Sequence, residues 1–283
     1  MPIEVQLNDN LRLAGALLAA GDWPEMEQKL KPYKPHRVAE AARRYFSAWR
    51  HLTAVKSAAD QVGQGAGLAD FLGQAFGDDW HADRRADLVE FAAAAQPATF
   101  WAETEADWQT SVKDLEAVFA RADLGQFLAD LWGPSLPSLG LAPNLLFPGY
   151  QCLALGTAGR LVVYAPPPLA WGASAPWRYS ERADEVQATV CQAIAQRLFE
   201  AHMPGTPAEA LALAAAVLFL RQAEGEAAGD QFMVIQKKTR GWRGLPAVVA
   251  GLAGILAARR AGGLATCDDG LPVLQEPLSR LTG

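Results

Sequence analysis

Along most of the chain the apolar positions recur at helical spacing, and Gly- and Pro-rich breaks divide them into segments. A short alternating start (Ile3, Val5, Leu7) leads into an apolar run of helical period from Leu11 to Leu18. Asp22-Trp23-Pro24-Glu25 then reads as a stop and restart, with Asp22 as N-cap and Pro24 in a first turn. After Pro35, Val38, Ala42, Tyr45, Phe46, Trp49, Leu52 and Val55 recur at steps of three and four, with Arg43, Arg44 and Arg50 off that stripe. This is the pattern of one long amphipathic helix with a core-facing side. Glycines between Gly63 and Gly67 break it, and further helical segments follow near Leu68–Phe76, Arg84–Ala94 and Asp107–Phe119.

From Gly133 to Trp177 the texture changes. Prolines punctuate three short apolar runs, Asn144–Phe147, Cys152–Leu155 and Leu161–Tyr164, which predict strands. Gly156-Thr157-Ala158-Gly159 is the natural hairpin connection between the last two. Helical spacing resumes at Ala183–Glu200, Pro207–Ala223, Asp230–Lys237 and Leu245–Ala258, and Gly262–Gly283 reads as irregular. The expected fold is α+β and predominantly helical, with a small antiparallel or mixed sheet flanked by helices. The expected organisation is an N-terminal helical region over residues 1–132 and an α+β region over 133–283, with one continuous domain as the alternative. In the latter, strands occupy 144–164, a long helix 183–200, and further helices run to about 260.

Composition narrows the function classes. With 283 residues, 51% hydrophobic and 20% charged, the chain has the makings of a globular core. A net charge of −6 offers no global attraction for a polyphosphate backbone, so nucleic acid is an unexpected partner. Cys152, Cys191 and Cys267 form no disulfide framework, and with no signal-like start this points to a cytoplasmic protein. The longest apolar stretch, Leu245–Ala258, falls short of the roughly 20 residues a membrane span needs.

Local chemistry is sparse. His36, His51, His81 and His202 include no pair at i, i+4, and no Cys-x-x-Cys is present, so a sequence-local zinc site is absent. The 63–67 glycines follow a helix rather than a strand, which favours a linker over a phosphate loop. Ser135 and Ser138 lie beside prolines with no nearby His to suggest a triad. Lys237-Lys238-Thr239-Arg240-Gly241-Trp242-Arg243 is a basic run that suits a helix C-terminus, where cations meet the macrodipole. Cys191 sits mid-helix among Val190, Ile194 and Leu198, the setting of a buried thiol more than of a nucleophile. Thr206-Pro207-Ala208-Glu209 has the form of a capping box, with Thr206 as N-cap and Glu209 reaching back to it.

The stretches Val5-Gln6-Leu7-Asn8-Asp9-Asn10-Leu11, Gly21-Asp22-Trp23, the run from Tyr45 to Val55, and Gly241-Trp242 together resemble a family of bacterial proteins with an N-terminal helical region and a gluzincin-type, zincin-like zinc-peptidase core. In such enzymes a helix carries His-Glu-x-x-His, whose histidines bind zinc while the Glu is general base, and a Glu on the next helix completes the site. The resemblance places Cys191-Gln192-Ala193-Ile194-Ala195 where that motif stands and Glu209 where the remaining carboxylate stands. Gln192 cannot act as a base and Ala195 offers no ligand. The resemblance therefore implies a degenerate metallopeptidase-like protein without catalytic residues, metal or cofactor, whose cleft binds a peptide or small ligand or is filled by side chains. Two alternatives stand beside it: a hydrolase using Cys191 as nucleophile, and a helical interaction protein whose exposed tryptophans meet a partner.

Overall fold

In a computed structural model of the chain, the described residues are 3–21, 36–63, 67–76, 82–146, 152–157, 159–168 and 174–281. The stop-and-restart at Asp22–Glu25, the middle of the 63–67 segment, His81, Phe147 and Ala158 lie outside them. The fold is α+β and predominantly helical, with a small four-stranded mixed sheet. The chain divides into two compact units. One comprises Met1–Ile3, Ala117–Leu139 and Arg182–Gly283, and the other Glu4–Glu116 and Gly140–Glu181. The division does not follow the 132/133 boundary: the strands belong with the N-terminal helices.

In the sheet-bearing unit, α1 (Asp9–Ala20) is capped by Asn8, whose side chain accepts the Leu11 N–H at 2.9 Å. Small residues on nearly every side let neighbours approach closely, and nine of its twelve residues are buried. The stripe expected to form a single helix over 38–55 is divided into α2 (Arg37–Phe46), a 3-10 turn (Ser47–Trp49) and α3 (Thr53–Gly63). The break falls where the Ser47 hydroxyl donates to the Arg44 carbonyl at 3.1 Å, a local bond that competes with helix continuation. Val38, Ala42, Phe46 and Val55 nevertheless bury on the same core.

α4 (Leu68–Phe76) and α5 (Ala82–Ala95) follow. Gln96, at φ 44°, ends α5 just before Pro97 opens α6 (Pro97–Ala120). That helix begins ten residues earlier than its apolar spacing suggests, because Pro97 supplies the start signal.

The strands are β1 (Glu4–Val5), β2 (Ser138–Pro143), β3 (Leu153–Thr157) and β4 (Arg160–Ala165), in spatial order β1-β2-β4-β3. β1 runs parallel to β2, pairing Glu4 with Gly140 and Val5 with Leu141. β3 and β4 form the expected hairpin, antiparallel from Leu153 opposite Tyr164 to Thr157 opposite Arg160. Gly156 has φ +132°, and a side chain there would collide with the Arg160 carbonyl, which is why this turn needs glycine. The first strand is displaced from the expected 144–147 to 138–143. Asn144 explains this: its Oδ1 accepts the Leu146 N–H at 3.2 Å and turns the chain there.

The other unit is helical apart from the first residues of β2. After the end of α6 it holds α7 (Leu124–Trp132), α8 (Ala183–Glu200), α9 (Thr206–Ala223), α10 (Glu226–Arg240) and α11 (Leu245–Arg260). α9 is its centre, with Ala210 through Leu220 buried without interruption and α8, α10 and α11 packed around it. Phe127 meets Phe219, and Trp132 meets Phe199 edge-on at 4.9 Å between centroids. The basic run is the end of α10 as expected, closed by Gly241 in the left-handed conformation with the Trp242 N–H on the Lys237 carbonyl. The tail is more regular than expected: Asp269 accepts from the N–H and hydroxyl of Thr266, and a 3-10 helix (Asp268–Leu274) leads into α12 (Gln275–Ser279).

Candidate functional site

The buried residues of α8 follow steps of three and four through Val190, Cys191, Ile194, Ala195 and Leu198. α8 packs on α9, and Cys191 and Ala195 lie in the core of the helical unit, at 0% and 1% exposure. Gln192 lies beside the stripe and is half-buried. Burial pushes the Cys191 thiol well above its ordinary pKa, so it stays protonated at neutral pH.

Glu209 stands in the first turn of α9, but not as a capping-box residue. The helix starts one residue early, at Thr206, with Gly205 (φ +81°) as N-cap and no side-chain cap bond. The Glu209 carboxylate instead accepts from the Arg240 guanidinium in the last turn of α10. Arg240 also lies over the ring of Trp242, 5.4 Å from its centroid. The two groups the motif comparison joins therefore have separate environments: the thiol is fully buried, and the carboxylate is in an ion pair. Among the described residues no three His, Cys, Asp or Glu side chains converge as a metal site would need.

The described histidines have structural surroundings. His36 Nδ1 accepts the Ala39 N–H at 3.2 Å as N-cap of α2, His51 lies on the Ala48 carbonyl, and His202 lies 3.5 Å from Asp268 and against Trp132. Trp49, Trp101, Trp108, Trp132, Trp177 and Trp242 are all buried or half-buried.

Two features escape the sequence reading. In the helical unit, a cavity of about 460 Å³ opens between the start of α8 and α10, lined by Asp184, Glu185, Leu220, Phe232 and Ile235 among others. Val234 and Ile235 are 59% and 51% exposed beside it, and Gly229 is the one buried residue of α10. In the sheet-bearing unit, Arg12 is 6% exposed and Tyr164 is 1% exposed. The signal for Arg12 was present as a lone cation inside the Leu11–Ala20 apolar run.

No protein family, curated protein or solved structure matches the chain. No helix of the described residues is long and apolar enough to cross a membrane.

Proposed function

We propose that the protein is a non-catalytic, zincin-like protein that works by binding a peptide. The carrying observation is how three of the motif-position groups are held: Cys191 and Ala195 are buried in the core of the helical unit, and Glu209 is paired with Arg240. Of the two fates expected for such a cleft, filling by side chains fits these positions. The peptide seat is then the open face of α10. Phe232 and Ile235 supply apolar contact in the cavity, Val234 is exposed on the same helix, and the charged groups at the cavity edge, Asp184 and the Arg182–Glu185 ion pair, carry one net negative charge that favours a segment that is basic as well as apolar. Three cysteines, none of them in a disulfide, support a cytoplasmic setting, and the net charge of −6 argues against nucleic acid.

Incubation with zinc and a mixed peptide library, read by mass spectrometry, is expected to leave every peptide intact. Chelator-sensitive cleavage that is lost in Glu209→Gln would overturn the non-catalytic reading. Anisotropy titration with labelled Lys/Leu and Glu/Leu peptides is expected to show preference for the basic one, weakened at least tenfold in Ile235→Asp. Equal binding of both peptides, or an unaffected variant, would remove α10 as the seat.

A further inference from the structure

α10 is a helix of 15 residues in which Gly229 alone is buried. Ala228, Phe232, Met233 and Gln236 are half-buried on one side of it. The other side carries Ala227, Gln231, Val234, Ile235 and Lys238 at i, i+4, i+7, i+8 and i+11, and each of these is exposed. That is the spacing with which one helix meets another, and its apolar middle is Val234 and Ile235, 59% and 51% exposed.

Charge is divided along the helix. Glu226 and Asp230 stand in the first half and are held by Arg221, at 3.3 Å and 2.6 Å. Lys237, Lys238 and Arg240 stand in the last turn, where Arg240 is taken by Glu209. Lys237 and Lys238 make no ion pair among the described residues. Across the cavity, Asp184 in the first turn of α8 makes none either, and beside the Arg182–Glu185 pair it leaves that edge with one net negative charge. Val234-Ile235-Gln236-Lys237-Lys238 is therefore itself a basic and apolar segment, the chemistry that the cavity edge favours.

We infer that two copies of the chain associate through α10, each laying its Val234–Lys238 segment along the cavity edge of the other. This rests on the reading of the open α10 face as the seat of a basic, apolar segment, and it names a second copy as an occupant. The arrangement is antiparallel, because helices running the same way would set Lys237 and Lys238 of both copies together, and like charges repel. With a two-fold axis between Val234 and Ile235, Val234 of each copy meets Ile235 of the other. Lys237 and Lys238 then fall opposite Phe232 and Gln231, which line the cavity together with Asp184. A patch that meets its own copy closes at two chains. One pair of helices about 22 Å long buries less than the roughly 1,200 Å² at which standard interfaces begin, so the dimer is weak and sensitive to concentration and salt. Pairing covers the seat at high protein concentration, and a peptide of matching chemistry displaces the second copy.

Sedimentation velocity of the whole protein from about 1 µM to about 1 mM at low salt tests this. A shift from monomer to dimer without larger species is expected, weakened by added salt and roughly tenfold weaker in Ile235→Asp. Asp184→Lys alone, and the double variant Lys237→Glu/Lys238→Glu alone, change exposed side chains and should each be monomeric, because each sets like charges at both ends of the contact. Their equimolar mixture should dimerise again, since every charged end then faces its opposite. Read on variants whose circular dichroism matches the parent, a monomer at every concentration, charge variants that dimerise as the parent does, or a mixture that stays monomeric would overturn the pairing. Growth beyond the dimer would overturn the two-fold arrangement. Anisotropy of the labelled Lys/Leu peptide separates this inference from the peptide reading. Peptide bound by a protein that never dimerises overturns the second copy alone, whereas a protein that dimerises but binds no peptide as a dilute monomer overturns the peptide seat alone.

Discussion

His36 is buried at the head of α2, and its Nδ1 can cap the helix only while it carries no proton. Burial lowers its pKa to about 4, against 6.5 when exposed. A base held neutral in the fold contributes its full stability above pH 6.5. That contribution falls as the pH drops from 6.5 towards 4, because the unfolded chain takes up the proton first, and the loss totals about 3 kcal/mol. In urea unfolding across that range, His36→Asn, which keeps a capping side chain without titrating, is expected to flatten the slope.

The thiols give a second residue-scale expectation. Ellman titration of the folded protein should find one reactive cysteine, Cys152, which is half-buried. Cys191 and Cys267, the latter with its pKa raised to about 12 by burial and then by Asp268, should react only on unfolding. The burial of Cys191 was legible because its own helix supplies apolar neighbours at the right spacing. The environments of Arg12 and Glu209 were not, because each is set by distant residues, the Trp101 and Trp108 rings for Arg12 and Arg240 for Glu209, that no local pattern names.

At the scale of elements, two helical glycines should respond with opposite sign to the same change. A Cβ at Gly229 on α10 would collide with the Arg221 side chain and approach the Val217 carbonyl to 2.7 Å, so helix α9 would have to move. Gly229→Ala should destabilise by roughly 1–3 kcal/mol, overpacking outweighing the improved helix propensity. Gly254 on α11 is exposed with nothing within 4 Å, and Gly254→Ala should stabilise by up to about 1 kcal/mol. Paired chemical melts of the two variants would check both signs.

Helix bounds were readable where the apolar period ran between plain breakers, as in Leu68–Phe76 and Ala183–Glu200. They slipped where one polar side chain redirected the backbone: Ser47 interrupting a continuous stripe, Asn144 closing a strand before the apolar run that suggested it. The early start of α10, at Glu226 rather than Asp230, follows from Gly225 at φ +98°.

At the scale of the whole molecule, sequence order and unit membership diverge. The chain passes from one unit to the other within α6 and again within β2. A composition shift at residue 133 marks where strands begin, but strands join whichever core their partners occupy, and β2 needs β1 from the N-terminus. Separate expression of 1–132 and 133–283 should therefore give two fragments without cooperative melting by circular dichroism, the first lacking the sheet under α1 and the second lacking the helices that cover it. A sharp melt in either fragment would show that the core does not depend on the other half.

The parallel pairing of β1 with β2 also bears on how the protein is made. Glu4 and Val5 leave the ribosome about 135 residues before Gly140 and Leu141, so at about 5–20 residues per second they wait roughly 7–27 s for a partner. Throughout that interval the nascent Glu4–Val5 segment displays an unsatisfied strand to any chaperone or neighbouring chain. Slowing translation ahead of Ser138 would prolong the exposure, whereas slowing it beyond Glu181, once β2 has been made, would not.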